Sequence, residues 1–281
     1  METNVKRSDA IEQMMHENVA RAIKSPEVMN VNRQIFYHYT DADGLLGILK
    51  EKAPVLRFSR FDCLNDVSEG QDIDEHFQAV CGSLLINPKY DKKKITAIRN
   101  CRPNNEVVIS YDHQKLDLTP TKDETDLYAR KPFAKFGAFQ AEVYMCCFSS
   151  LQDLLPMWNY YSNGHAYQGY CIGFHPEMFD SFERYAHDAK GTQMDGCKLE
   201  IIKVIYDDHE KEQILARRIT DILDYESYLK LTSENTKNYI TIMLNSLRFV
   251  FKRAAFSHEN EFRVIFFKPK NMGKAGLDES K

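Results

Sequence analysis

His258-Glu259-Asn260-Glu261-Phe262-Arg263-Val264-Ile265-Phe266-Phe267 decides how this chain is read. Phe262, Val264 and Ile265-Phe266-Phe267, bounded by Lys268-Pro269, predict a buried strand. Side chains alternate along a strand, so Glu259 and Glu261 are expected on one face as the chain enters it. Two adjacent carboxylates repel unless a cation or a hydroxyl engages them. Arg263 is the next residue on that face. The simpler reading is a structural Glu–Arg pair at a strand entry; the other is a pair of acids that does chemistry.

A second stretch lies far upstream. Ile35-Phe36-Tyr37-His38-Tyr39-Thr40 is aromatic and β-branched and predicts a short strand. Asp41-Ala42-Asp43-Gly44 punctuates it, and Gly44 to Lys50 predicts a short amphipathic helix capped by Asp41 or Asp43. His38 thus sits where a strand feeds a helix, a usual place for a site; an isolated histidine is otherwise a core residue with a satisfied ring. A third stretch, Ser149 to Gly164, predicts a short helix after a strand. It carries Trp158, the one tryptophan of the chain, three residues before Tyr161. That spacing puts both rings on one helical face, for core packing or for stacking on a planar ligand.

The remaining pattern predicts an α+β protein. Helices are expected over 8–24, 66–86 and 89–100, and over 207–251 in two segments broken near Leu231-Thr232-Ser233, with Ser233 and Glu234 in the cap region of the second. Strands are expected at Val143–Phe148, Tyr170–Phe174 and Leu199–Tyr206. Residues 1–30 read as an N-terminal helical segment, 31–270 as a single domain with an insertion or long loop about 87–140, and 271–281 as a polar tail. Asn65-Asp66 with Glu69 and Asp72 reads as acids favouring a helix start.

The 281 residues, 43% hydrophobic and 12% aromatic, have the composition of a globular protein. A net charge of −4 gives no global basic field for sequence-independent nucleic-acid binding. No apolar run is long enough to span a bilayer, and the polar start lacks a signal core, so a cytoplasmic protein with no membrane partner is expected. The seven cysteines show no C-x-x-C spacing, and no structural metal is expected. The chain has no P-loop, no G-x-S-x-G elbow, no H-E-x-x-H and no dinucleotide-binding glycine fingerprint.

Taken in order, His38-Tyr39-Thr40, Gly44 to Leu49, Leu64-Asn65-Asp66 with Glu69, Cys147-Phe148-Ser149, Met157-Trp158 with Tyr161, Gly169 to Phe174 and Glu259 to Arg263 resemble a large bacterial family whose domain has no assigned function. More remotely, the His-Tyr-Thr strand with its Leu-rich helix and the late Glu259-Asn260-Glu261-Phe262 strand resemble the ADP-ribosyltransferases. That resemblance implies a split β-sheet with flanking helices and NAD as substrate. It assigns His38, with Tyr39 or Thr40 beside it, to the ribose; Ser149 to the central strand; Trp158 or Tyr161 to stacking on nicotinamide; and Glu261 to catalysis, with Glu259 turned to the acceptor. The acceptor would be nucleic acid or protein, the setting a toxin or a phage-defence effector, and a neutralising or regulatory protein a further partner. An NAD glycohydrolase on the same fold, or a catalytically inactive module that binds a nucleotide or a partner, is the alternative.

The residue types suit that chemistry. Cleaving the nicotinamide–ribose bond builds oxocarbenium character on the sugar, as in glycoside hydrolysis. A fixed carboxylate stabilises that charge, and a second acid can activate an acceptor.

Overall fold

The computed structural model describes residues 35–52, 54–64, 70–104, 106–110, 136–162, 169–175, 177–180, 198–230 and 232–269. The expected helix over 8–24, the Asn65-Asp66-Glu69 cluster and the tail over 271–281 lie outside them. The chain is mixed helix and strand, of the α+β class, with a curled antiparallel half-barrel sheet. The stretch read as one domain over 31–270 is organised as two compact units. The first takes residues 70–140 and 207–251; the second takes 27–69, 141–206 and 252–281.

The first unit is mainly helical: α2 (Asp72–Ile86), α3 (Lys92–Ile98), α6 (Asp208–Leu229) and α7 (Ser233–Leu247). They pack through an apolar stripe that includes Ile73, Phe77, Leu84, Ile95, Leu215, Ile222, Ile240 and Leu244, all buried. The region read as an insertion contributes α3 and the strand β3 (Glu106–Ser110) here. β3 pairs with residues 136–140, the first part of the long strand β4 (Phe136–Ser149). Caps follow the sequence closely. Asp207 accepts from the Glu210 amide at 2.8 Å and starts α6. For α7 the cap is Thr232, not Ser233: its hydroxyl accepts from the Asn235 amide at 3.2 Å. Lys230, in the left-handed conformation, ends α6.

The second unit is built on an antiparallel sheet in the order β5-β1-β4-β7-β6. These strands are β1 (Phe36–Thr40), β4, β5 (Tyr170–Phe174), β6 (Lys198–Lys203) and β7 (Glu261–Pro269). The two-residue strand β2 (Ser59–Arg60) pairs with β4 as well. Around the sheet lie α1 (Ala42–Leu49), α4 (Leu155–Tyr161) and α5 (Glu177–Asp180). Asp41 is the cap of α1, accepting from the Gly44 amide at 2.7 Å. Gly44 is required there, since Thr40 Oγ1 occupies the space a β-carbon would need. Alternate residues of the strands, with Phe179 of α5, meet in a core of Phe36, Phe148, Phe174, Phe262 and Val264. Phe36 and Phe262 touch with ring centroids 5.2 Å apart.

The sheet has a gap along one edge of β4. On the edge opposite β7, β4 pairs with β2 at Tyr144–Met145 and with β1 at Ser149. Between them Cys146, Cys147 and Phe148 have no strand partner on that edge among the described residues. A buried backbone carbonyl without a partner is costly. The His38 ring supplies one, its Nδ1–H donating to the Cys147 carbonyl at 3.0 Å.

Candidate functional site

The entry to β7 differs from the simple strand expected of it. Ala254–Glu259 is a 3-10 turn and Asn260 is left-handed (φ 46°, ψ 52°), so the strand begins only at Glu261. Strand alternation therefore does not set the direction of Glu259. The turn does, and it is held on three sides. The Ser149 hydroxyl donates to the Glu259 carbonyl at 2.8 Å, the Ser150 amide donates to the Asn260 carbonyl at 3.0 Å, and the Glu261 amide donates to the Tyr206 hydroxyl at 3.0 Å. Asparagine tolerates the left-handed region, whereas a β-branched residue does not. Asn260→Gly is expected to leave stability within about 1 kcal/mol of wild type, and Asn260→Val to lower it by more than about 1–2 kcal/mol, read from urea unfolding.

Both carboxylates converge on one cation. Lys252 Nζ donates to Glu259 at 2.6 Å and to Glu261 at 2.8 Å. Arg263 closes the cluster, its Nε donating to Glu261 Oε1 at 2.9 Å. The Glu–Arg pair read from the sequence is thus present for Glu261, while Glu259 pairs with Lys252. Arg263 is fully buried and Glu261 nearly so. Burial alone would raise the Glu261 pKa; Arg263 and Lys252 outweigh it and hold the carboxyl down at about 2. Burial raises the Glu259 carboxyl, opposed by Lys252. The Cys147 thiol also donates to Glu261, and burial with that neighbouring charge keeps it a thiol.

These groups line a cavity of about 600 Å³, within the range of small-molecule sites. One side is Tyr37, His38 and Tyr39 from β1; another is Met145 to Phe148 of β4, across its gap; Lys252, Glu259 and Glu261 form a third. Tyr161, Tyr160 and Phe256 complete much of the wall. Burial lowers the His38 pKa against the opposing bond to Cys147. The ring is thus neutral at pH 7, and with Nδ1 donating, Nε2 is left as an acceptor. A ligand hydroxyl bound by that nitrogen should hold constant affinity above about pH 6.5 and weaken only once the pH falls below the lowered His38 pKa, as protonation removes the acceptor; a titration calorimetry series across pH 5–8 checks this.

The other residues singled out in the sequence divide. Tyr39 lines the cavity, but its hydroxyl is committed: it donates to the Leu151 carbonyl at 2.7 Å and accepts from the Leu154 amide at 3.1 Å. Thr40 is buried against Gly44 and does not line the cavity. Ser149 is fully buried and holds the Glu259 turn. Trp158 does not line the cavity; it meets the Tyr39 ring edge-on at 5.0 Å and donates to Asp153 at 2.8 Å. Tyr161, from the same helix, does. Burial and the nearby Cys147, Glu259 and Glu261 groups raise its hydroxyl pKa, so it stays protonated. Of the two stacking candidates, Tyr161 is the one at the cavity.

The sequence reading missed Lys252, Cys147 as a side-chain donor, Tyr206 and Arg57. Nothing in Val250-Phe251-Lys252-Arg253 marks Lys252, since its role comes from a chain reversal that brings 252 back to 259 and 261. Arg57 had a legible signal in the alternation of Leu56-Arg57-Phe58-Ser59.

A family described as a protein of unknown function (DUF2971) matches residues 157–264, a span that includes most of α4 with Tyr161, Lys252, both acids and Arg263. No curated protein and no solved structure matches the chain. No helix among the described residues is long and apolar enough to cross a membrane. Among the described residues, no cluster of His, Cys, Asp or Glu could hold a metal ion.

Proposed function

We propose that the cavity of the second unit binds NAD and that the chain is an ADP-ribosyltransferase acting on a macromolecule, as a toxin or phage-defence effector would. The observation that carries this reading is the meeting of His38, Glu259 and Glu261 at one cavity, brought there by β1, β4 and β7 lying side by side. Neutral His38 offers Nε2 to a ribose hydroxyl. Glu261 is a fixed, ionised carboxylate, the form that stabilises a developing oxocarbenium ion without reorganising. Tyr161 offers a ring to the departing nicotinamide. Glu259, with a raised pKa and Lys252 as its one ionic partner among the described residues, is the better base for an acceptor hydroxyl or amine.

One observation favours a second reading. Glu261 already receives donors from Arg263, Lys252 and Cys147, which suits a catalytically silent module whose charges only hold the sheet entry. Labelled NAD incubated with the protein and with nucleic-acid or protein acceptors separates the cases. Transfer of label to a macromolecule, lost in Glu259→Gln while nicotinamide release persists, is the expected result. Release with water as the only acceptor makes the chain a glycohydrolase. NAD binding with no release leaves the silent module.

A further inference from the structure

We infer that Arg57 is an anion-recognition residue of this cavity and takes a phosphate group of the ligand. The inference deepens the NAD reading, which supplies a diphosphate, but its basis is separate. The segment that leads into β2 alternates in the directions of its side chains, as a strand does. Leu56 and Phe58 pack against the core of the second unit. Arg57 and Ser59 therefore face the other way, and both line the cavity.

The charges around the cavity make Arg57 distinct. Lys252 is engaged by Glu259 and Glu261, and Arg263 by Glu261. Two carboxylates against two cations leave that cluster neutral. Arg60, three residues on from Arg57, is engaged by Asp62 at 2.7 Å. His38 is neutral. Arg57 alone among the described cationic residues of the wall has no ion pair or hydrogen bond with another described residue. Its guanidinium is a planar fork suited to two phosphate oxygens at once, and the Ser59 hydroxyl beside it can add a donor. With Arg263 counted behind Glu261, the described charges at the cavity sum to one excess positive charge, and a phosphorylated nucleotide matches it better than a nucleoside.

Titration calorimetry on the full chain with pyrophosphate, ADP-ribose and adenosine tests this. Arg57 is exposed and has no ion pair among the described residues, so Arg57→Ala should melt with the wild type. It should bind ADP-ribose and pyrophosphate about tenfold to hundredfold more weakly, the loss of hydrogen bonds to a charged group, and leave adenosine unchanged. Arg57→Lys, which keeps the charge without the fork, should lose only a few-fold. Arg57-dependent pyrophosphate binding without any binding of ADP-ribose or NAD would keep the phosphate assignment and remove the NAD reading. Equal affinity of wild type and Arg57→Ala for ADP-ribose, or no binding of either phosphate ligand, would overturn it.

Discussion

Arg263→Met is expected to lower stability by about 3–5 kcal/mol, a large loss for one substitution. Arg263 is fully buried and is bonded to a carboxylate that is itself buried. Removing it strands the Glu261 charge with only Lys252, which is already shared with Glu259. An exposed pair would contribute roughly 0–1 kcal/mol, so the size of the effect separates a buried cluster from a solvated strand entry. Urea unfolding followed by the fluorescence of Trp158, the single tryptophan, reads it. The double variant Arg263→Met with Glu261→Gln should lose less than the sum of the two, because the stranded charge is gone. The acid limb gives an independent check. The Glu261 pKa is depressed from its ordinary 4.5 to about 2. Its stabilising contribution is therefore full above about pH 4.5 and is lost as pH falls towards 2. Arg263→Met should flatten that part of the stability profile.

The second large effect falls on turnover. Glu261→Gln should cut NAD cleavage by about two to three orders of magnitude while NAD still binds, the signature of an interaction made mainly in the transition state. The variant also weakens the cluster, so it must be assayed well below its melting temperature. Glu259→Gln touches a less buried acid with a single ionic partner and should leave cleavage within about tenfold. Comparable losses in both variants, tracking their melting temperatures, would mean that the acids act only through stability.

Much of the second unit was legible because its strands are short, apolar and alternating. Tyr170–Phe174 falls on the strand expected, and Asp41 caps α1 as one of the two acids named for it. The entry to β7 was not legible to the same degree. Left-handed Asn260 turns the chain between the two acids, and a period-2 rule cannot register a single residue in that conformation. Trp158 and Tyr161 share a helix face by spacing, yet α4 is only two turns long and one ring lies over Tyr39 while the other reaches the cavity. Lys252 was invisible for a different reason. Long-range charge pairing depends on a chain reversal, and no local pattern encodes which lysine will be caught between two acids.

The region read as an insertion divides. The helix expected over 89–100 is present as Lys92–Ile98, and its buried Ile95 and Ile98 join α3 to the helical unit. A seven-residue helix with two apolar residues is enough when neighbouring helices supply the rest of the core.

The central claim, that this cavity cleaves NAD, rests most directly on one measurement: release of nicotinamide from NAD by the purified wild-type chain, followed by proton NMR over time. The account predicts steady release that requires no added metal and stops in His38→Ala. NAD bound for hours with no nicotinamide formed, or release undiminished in His38→Ala, would contradict it.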